Sequence, residues 1–302
     1  MMRESFTFRG IIAPVFAPFE HRTMKLDLSM IPYYAEYLKE EGITGVLVNG
    51  TSGEGMSMSV SERKQVAEAW AMAVKTTKQH LMIQVGGAPL PDVLELAKHA
   101  EQIKADSILC LPELYFKPTD IKQLKNYLKI VGEAAPNTPL LYYHIPWLTN
   151  VNIHMGDFLK SINDEIKTFV GIKFTSANLD EGAQAFNADS RKFVIFLGCD
   201  NIMSAASVIG IDSFIATSVN IFPHLAIEIL NAGKSGNILK ARESQEKLSK
   251  NIALLSKHGD WVVTQKTAMN LLMTEFNVGP VRFPLCPLSD EAEAIMKKDL
   301  KI

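Results

Sequence analysis

Between Gly10 and Thr217 one unit recurs eight times. A short β-branched or aliphatic run meets a Gly, Pro or polar break, and an amphipathic helical stretch follows. The runs are Gly10–Phe16, Gly45–Asn49, Leu81–Gly86, Ser107–Leu111, Leu140–His144, Thr168–Phe174, Phe193–Gly198 and Ser213–Thr217. They are apolar on both faces rather than alternating, the pattern of parallel strands covered by helices. Parallel strands joined through helices are βαβ units. Eight such units in about 225 residues fit a closed (β/α)8 TIM barrel, whose usual length is ~250 residues. An open doubly wound sheet would place a glycine-rich phosphate turn after the first strand. Here that stretch reads Ala17-Pro18-Phe19-Glu20, with no glycine, so the barrel is the predicted α/β fold.

The helices are predicted at Asp27–Glu41, Ser59–Thr76, Leu90–Lys104, Pro118–Ala135, Ile153–Asn163, Asn178–Asp189, Asn201–Ile209 and Phe222–Asn231. Ser59 with Glu62 three residues on has the spacing of a capping box, in which side chain and backbone satisfy each other's end groups. After residue 234 the rhythm stops. Ala241–Leu255, Trp261–Phe276 and Ser289–Lys298 read as helices, and Gly279–Pro284 as a turn between them. The predicted organisation is a barrel over residues 1–234 and a helical extension over 235–302.

Composition narrows the partners. Lys+Arg is 31 against 33 Asp+Glu, a net charge of -2, so no basic excess draws in nucleic acid or an anionic membrane. With 47% hydrophobic and 21% charged residues, the chain has what a large buried core needs. Three scattered cysteines (Cys110, Cys199, Cys286) form no CxxC pair, and the seven histidines show no HExxH spacing; neither a disulfide framework nor a metal site is expected. Met1–Phe8 carries two charges and no apolar run, unlike a secretory leader. No run approaches the ~20 apolar residues that span a bilayer. The expected protein is soluble and cytoplasmic.

A TIM barrel carries its chemistry at the C-terminal ends of its strands. Lys173 sits near the end of the sixth run, Thr168-Phe169-Val170-Gly171-Ile172-Lys173-Phe174. Burial disfavours an ammonium, leaving free amine able to attack a carbonyl; the competing reading is a lysine snorkelling to solvent. Tyr143, near the end of the fifth run, could move protons beside such an amine, or pack at the rim. Neighbouring strand residues face opposite ways, so if Tyr143 faces the lumen, His144 faces the helices and is structural. After the second run, Asn49-Gly50-Thr51-Ser52-Gly53-Glu54-Gly55 offers hydroxyls and backbone N–H groups that could cradle a carboxylate. It lacks the Gly-Lys-Ser/Thr ending of a P-loop, and Glu54 is expected to fix the loop. Gly198-Cys199-Asp200-Asn201 and Thr217-Ser218 bring further polar groups to the same face, with Cys199 expected as a small buried thiol.

Gly50-Thr51-Ser52-Gly53-Glu54, Tyr143-His144-Ile145-Pro146 and Gly171-Ile172-Lys173 together resemble the signatures of the dihydrodipicolinate synthase / N-acetylneuraminate lyase superfamily, over nearly the whole chain. Val48–Gly55, Ser59–Arg63 and Tyr142–Pro146 are most similar to its animal-type lyase branch. The synthase branch has an arginine shortly after its Tyr-x-x-Pro motif; here Pro146-Trp147-Leu148-Thr149 follows, and Leu148 fits the lyase pattern. The resemblance implies a Schiff-base aldolase that splits a sugar 2-keto acid, N-acetylneuraminate first among them, releasing pyruvate. Lys173 would form the imine, Tyr143 transfer protons, and Thr51 and Ser52 hold the carboxylate. Leu148, Thr175, Gly198, Asp200, Asn201 and Thr217 would contact substrate. No metal or organic cofactor is implied, because the imine is the electron sink. The resemblance further implies a homotetramer in which Tyr115 reaches a neighbouring subunit's site. It also marks departures: Asn201 stands where the lyases carry glutamate, and Ala216-Thr217-Ser218-Val219-Asn220 where they read like Gly-Ser-Thr-Tyr-Asn. The imine half is kept and the sugar half has drifted. That leaves two further readings: an aldolase for another 2-keto-3-deoxy sugar acid, and a barrel that binds keto acids without catalysis.

Overall fold

The computed structural model describes residues 6–301; Met1–Ser5, most of the stretch read above for a leader, and Ile302 lie outside them. Eight parallel strands close in chain order: β1 (Ile11–Pro14), β2 (Gly45–Val48), β3 (His80–Gln84), β4 (Ser107–Cys110), β5 (Leu140–His144), β6 (Phe169–Phe174), β7 (Val194–Leu197) and β8 (Phe214–Ile215). β1 pairs with both β2 and β8, which seals the ring. The fold is the (β/α)8 barrel that the sequence repeat predicts. β5 has the predicted bounds, and most of the other strands are shorter than their apolar runs. In a tilted barrel only the middle of each run finds partners on both sides.

Helices cover the outside: α1 (Ile31–Glu40), α2 (Val60–Thr77), α3 (Leu90–Gln102), α4 (Ile121–Ala134), α5 (Pro146–Thr149), α6 (Met155–Lys160), α7 (Leu179–Asn187), α8 (Met203–Val208) and α9 (Pro223–Lys234). The capping box at α2 is made in both directions: Glu62 N–H donates to Ser59 Oγ, and Ser59 N–H donates to Glu62 Oε2. Several predicted bounds need correcting. α4 starts at Ile121 rather than Pro118, because Asp120 is extended and its carboxylate accepts the Gln123 N–H at 2.8 Å. The helix expected over Ile153–Asn163 shrinks to α6, and Asn163 and Asp164 beyond it take left-handed backbone. The single turn α5 was not foreseen.

Parallel strands present two faces, and the sequence assigns residues to them by parity. One inner cluster fills the lumen, including Ile12, Leu47, Met82, Leu141, Tyr143 and Phe196. Tyr142, Ile172 and Phe174 belong to the outer core under the helices. Strand β6 breaks simple alternation. Leu140 pairs with Phe169 but Leu141 pairs with Gly171, so Val170 is an extra residue on β6. A bulge of this kind shifts the facing of all that follows. Phe169 faces outward and four residues later Lys173 is in register with lumenal Tyr143 on one side and lumenal Phe196 on the other. Uninterrupted alternation from Phe169 would have turned Lys173 outward with it. Gly171 makes the irregularity feasible: a Cβ there would collide with the Val194 carbonyl of β7.

Beyond α9 come α10 (Ile238–Ser256), α11 (Trp261–Leu272) and α12 (Asp290–Leu300). α11 stops at Leu272, short of the expected Phe276, because Met273 is extended; Phe276 instead buries its ring against Tyr34. α10 packs against α8 and α9, while α11 lies by the C-terminal barrel face.

Candidate active site

At that face a cavity of about 370 Å³ opens between the strand ends. Lys173 is 4% exposed at its floor. Its Nζ donates to Tyr143 Oη at 3.1 Å, and Tyr143 Oη lies 3.1 Å from Thr51 Oγ1. An amine, a phenol and a hydroxyl thus form one continuous line from β6 through β5 to the loop after β2. Beside it, Ser52 Oγ and Thr217 Oγ1 are 2.8 Å apart. Gly198 is needed at the end of β7, since a Cβ there would strike Thr175 Oγ1 and press on the Lys173 stem.

Nine of the eleven residues singled out from sequence line this cavity: Lys173, Tyr143, Thr51, Ser52, Thr175, Gly198, Asp200, Asn201 and Thr217. Two do not. Leu148 faces an adjoining apolar cavity of about 370 Å³, which shares Thr51, Ile145, Trp147 and Trp261 with the first. Tyr115 is 79% exposed on the loop after β4, away from Lys173 of its own chain. Val219, where the resemblance loses a tyrosine, is buried in the outer core and does not line the cavity. The sequence reading passed over Trp147 as a site residue and missed Trp261 altogether. A bulky aromatic in the turn after Tyr-His-Ile-Pro was a signal for Trp147. Trp261 lies in the extension, and nothing local marks it.

The electrostatics separate bystanders from candidates. Asp200 is buried, which raises its carboxyl above the usual range, and the Ser218 N–H on Oδ1 at 3.0 Å acts against that rise. Cys199 is half-buried in the cavity wall, not buried as expected. Burial pushes its thiol up, which disfavours the nucleophilic thiolate. His144 faces outward, stacked on Phe174 at 5.4 Å, and burial pushes it down to about 4; it is structural, as its parity implied. Asn220 is structural too, accepting from Tyr34 Oη at 2.6 Å and donating to the Pro14 carbonyl.

Glu54 fixes the loop, as read from sequence. Its Oε1 accepts from Lys266 Nζ of α11 at 2.7 Å and its Oε2 from the Arg282 N–H at 2.6 Å. Lys266 Nζ also donates to the Ala17 and Pro280 carbonyls, both at 2.8 Å. Burial lowers Lys266 to about 8, and the nearby Glu54 carboxylate acts against that fall. A larger, open groove of about 1050 Å³, lined by Phe8, Lys75, His80 and Asp106, lies by the N-terminal end of β3, away from this chemistry. Among the described residues no group of three or more His, Cys, Asp or Glu side chains could hold a metal ion, and no helix is long and apolar enough to cross a membrane.

A (β/α)8 barrel with a lumenal lysine hydrogen-bonded to a tyrosine, beside hydroxyls suited to an anion, is built for covalent amine chemistry on a carbonyl. Residues 7–302 match the dihydrodipicolinate synthetase family, and the chain belongs to that family, an enzyme family of lysine Schiff-base aldolases. It is 34% identical to the N-acetylneuraminate lyase of Danio rerio over 96% of this chain and 94% of that protein. It is 35% identical to the N-acetylneuraminate lyase of Homo sapiens, over 96% and 92%. Among solved structures, N-acetylneuraminate lyase of Proteus mirabilis superposes with a TM-score of 0.91 at 30% identity, covering 97% of this chain and 98% of that one.

Proposed function

We propose that this protein is a class I lyase that cleaves N-acetylneuraminate to N-acetylmannosamine and pyruvate. The observation that carries the reading is the Lys173–Tyr143–Thr51 line at the floor of the cavity. The Lys173 amine attacks the C2 ketone of the open-chain substrate, and water leaves to give a protonated imine. Tyr143 relays the proton of the C4 hydroxyl, accepting it as its own phenolic proton passes to the substrate carboxylate, while the C3–C4 bond breaks and the sugar aldehyde is released. The bonding pair flows into the imine, giving an enamine that is protonated at C3 and hydrolysed to pyruvate and free lysine. Each step balances with water and protons alone, so no metal or organic cofactor enters the proposal. Thr51 holds Tyr143 in place, and Ser52 with the loop N–H groups holds the carboxylate. Asp200, Asn201, Thr175 and Gly198 line the side on which the departing sugar would sit.

The finer readings rest on the family likeness. They are a cytoplasmic homotetramer, Tyr115 entering a neighbouring subunit's site, Leu148 near the substrate through the adjoining cavity, and a boundary between barrel and extension at residue 234. The exposure of Tyr115 supports its reading across subunits, since a large aromatic 79% exposed in one chain has surface to give to another. A second reading, an aldolase for another 2-keto-3-deoxy sugar acid, is favoured by Asn201, an amide exposed at the cavity where the lyases carry a carboxylate. Borohydride reduction with pyruvate tests the class: a reduced three-carbon adduct should appear on Lys173, and folded protein without it refutes the imine. A panel of sugar acids then decides the substrate by kcat/KM.

A further inference from the structure

We infer that Trp261, the first residue of α11, is a positioning residue that sets the direction of the hydroxyl chain on the substrate carboxylate. The inference rests on the Schiff-base reading of the cavity. The indole Nε1 donates to Thr217 Oγ1 at 3.2 Å, and Thr217 Oγ1 is 2.8 Å from Ser52 Oγ. Ser52 and Thr217 are 4% and 8% exposed, and all three residues line the cavity. Trp261 is held at its place by the helix start, where Asp260 accepts the Val262 N–H at 3.0 Å.

The polarity follows from the donor inventory. An indole N–H can only donate, whereas each hydroxyl donates once and accepts. Thr217 must therefore accept from Trp261. A hydroxyl that accepts a hydrogen bond becomes a better donor, so the Thr217 proton turns to Ser52 Oγ. Ser52 is then left with its own proton free, directed to the cavity as a donor to the ketoacid carboxylate. Thr217 keeps a second lone pair, so the indole acts by strengthening Thr217 as a donor; without the indole proton that bias is lost, and Ser52 can donate to Thr217 instead. Ser52 would then present lone pairs to an anion. The extension thus acts on the carboxylate through two barrel residues without touching it.

Replacing Trp261 by Phe, or by 3-benzothienylalanine, removes the N–H; the second keeps the ring shape almost unchanged. The readout is the pyruvate concentration that half-saturates borohydride trapping on Lys173, with the thermal midpoint as a check of folding. Both variants should raise half-saturation by roughly three- to tenfold, the scale of one lost hydrogen bond, with the trapping rate at saturation unchanged. Thr217→Val cuts the same line, so W261F/T217V should bind pyruvate no more weakly than T217V alone. Parent-like half-saturation in the folded benzothienylalanine protein, or additive losses in the double variant, overturns the inference while leaving the imine intact. Absence of any adduct in the parent overturns the Schiff-base reading and this inference with it.

Discussion

Lys266→Met tests how α11 holds the loop after β2. The ammonium sits in a site where its side chain is 1% exposed and that of Glu54 is 0%. It satisfies Glu54 Oε1 at 2.7 Å and two backbone carbonyls at 2.8 Å. Methionine has similar length but no donor, so the substitution leaves a buried carboxylate with only the Arg282 N–H on its other oxygen. Removing one partner of a buried pair costs about 3–5 kcal/mol, because the remaining charge loses compensation without regaining water. Unfolding entropy of about 2.1 cal/mol/K per residue gives about 0.6 kcal/mol/K for 302 residues. The thermal midpoint should therefore fall by about 5–8 °C in calorimetry at pH 7.5. Because Glu54 lies two residues after Ser52, half-saturation by pyruvate should rise as well. Adding Glu54→Gln to Lys266→Met removes the orphaned charge and should recover a good part of the lost stability. A midpoint within about 1 °C of the parent, or a double variant destabilised by the sum of its singles, would refute the reasoning.

Tyr143→Phe should leave pyruvate trapping on Lys173 within a few-fold while kcat for cleavage falls by about 10²–10⁴, the range for a lost proton-transfer group; an equal loss in both assays would make Tyr143 a packing residue. Stability should fall in mild acid through His144. Its folded value is about 4 against an ordinary 6.5, with burial the first cause. Between those pH values the unfolded chain binds a proton that the folded chain refuses, so stability present above pH 6.5 is lost as pH falls. By pH 5 this one group removes about 2 kcal/mol. Urea midpoints at pH 7 and 5 should differ less in His144→Phe than in the parent, and an unchanged difference would discount His144.

The sequence by itself determined the barrel and the identity of its chemical groups. Eight both-face-apolar runs, each followed by an amphipathic helix, leave little but a closed parallel barrel, because such strands must be covered on the outside and packed within. A lysine and a tyrosine near the ends of two such runs stand out for the same reason, and the Ser59–Glu62 capping box is local by construction. The tertiary structure decided where those groups point and what holds them. The additional residue at Val170 in β6 turns Lys173 into the lumen, and only pairing with β5 reveals it, since a bulge is a mismatch between two strands. Leu148 and Val219 were placed by sequence likeness and lie in the next cavity and the outer core, because neighbours along a turn can face different spaces. Lys266 reaches the loop after β2 from a helix more than two hundred residues further along the chain, and Trp261 of the same helix meets Thr217 after β8. No periodicity or spacing encodes such a meeting. It exists because the barrel closes and the C-terminal helices fold back over its C-terminal face, bringing a donor-only indole to the Thr217 hydroxyl and a buried ammonium to the Glu54 carboxylate.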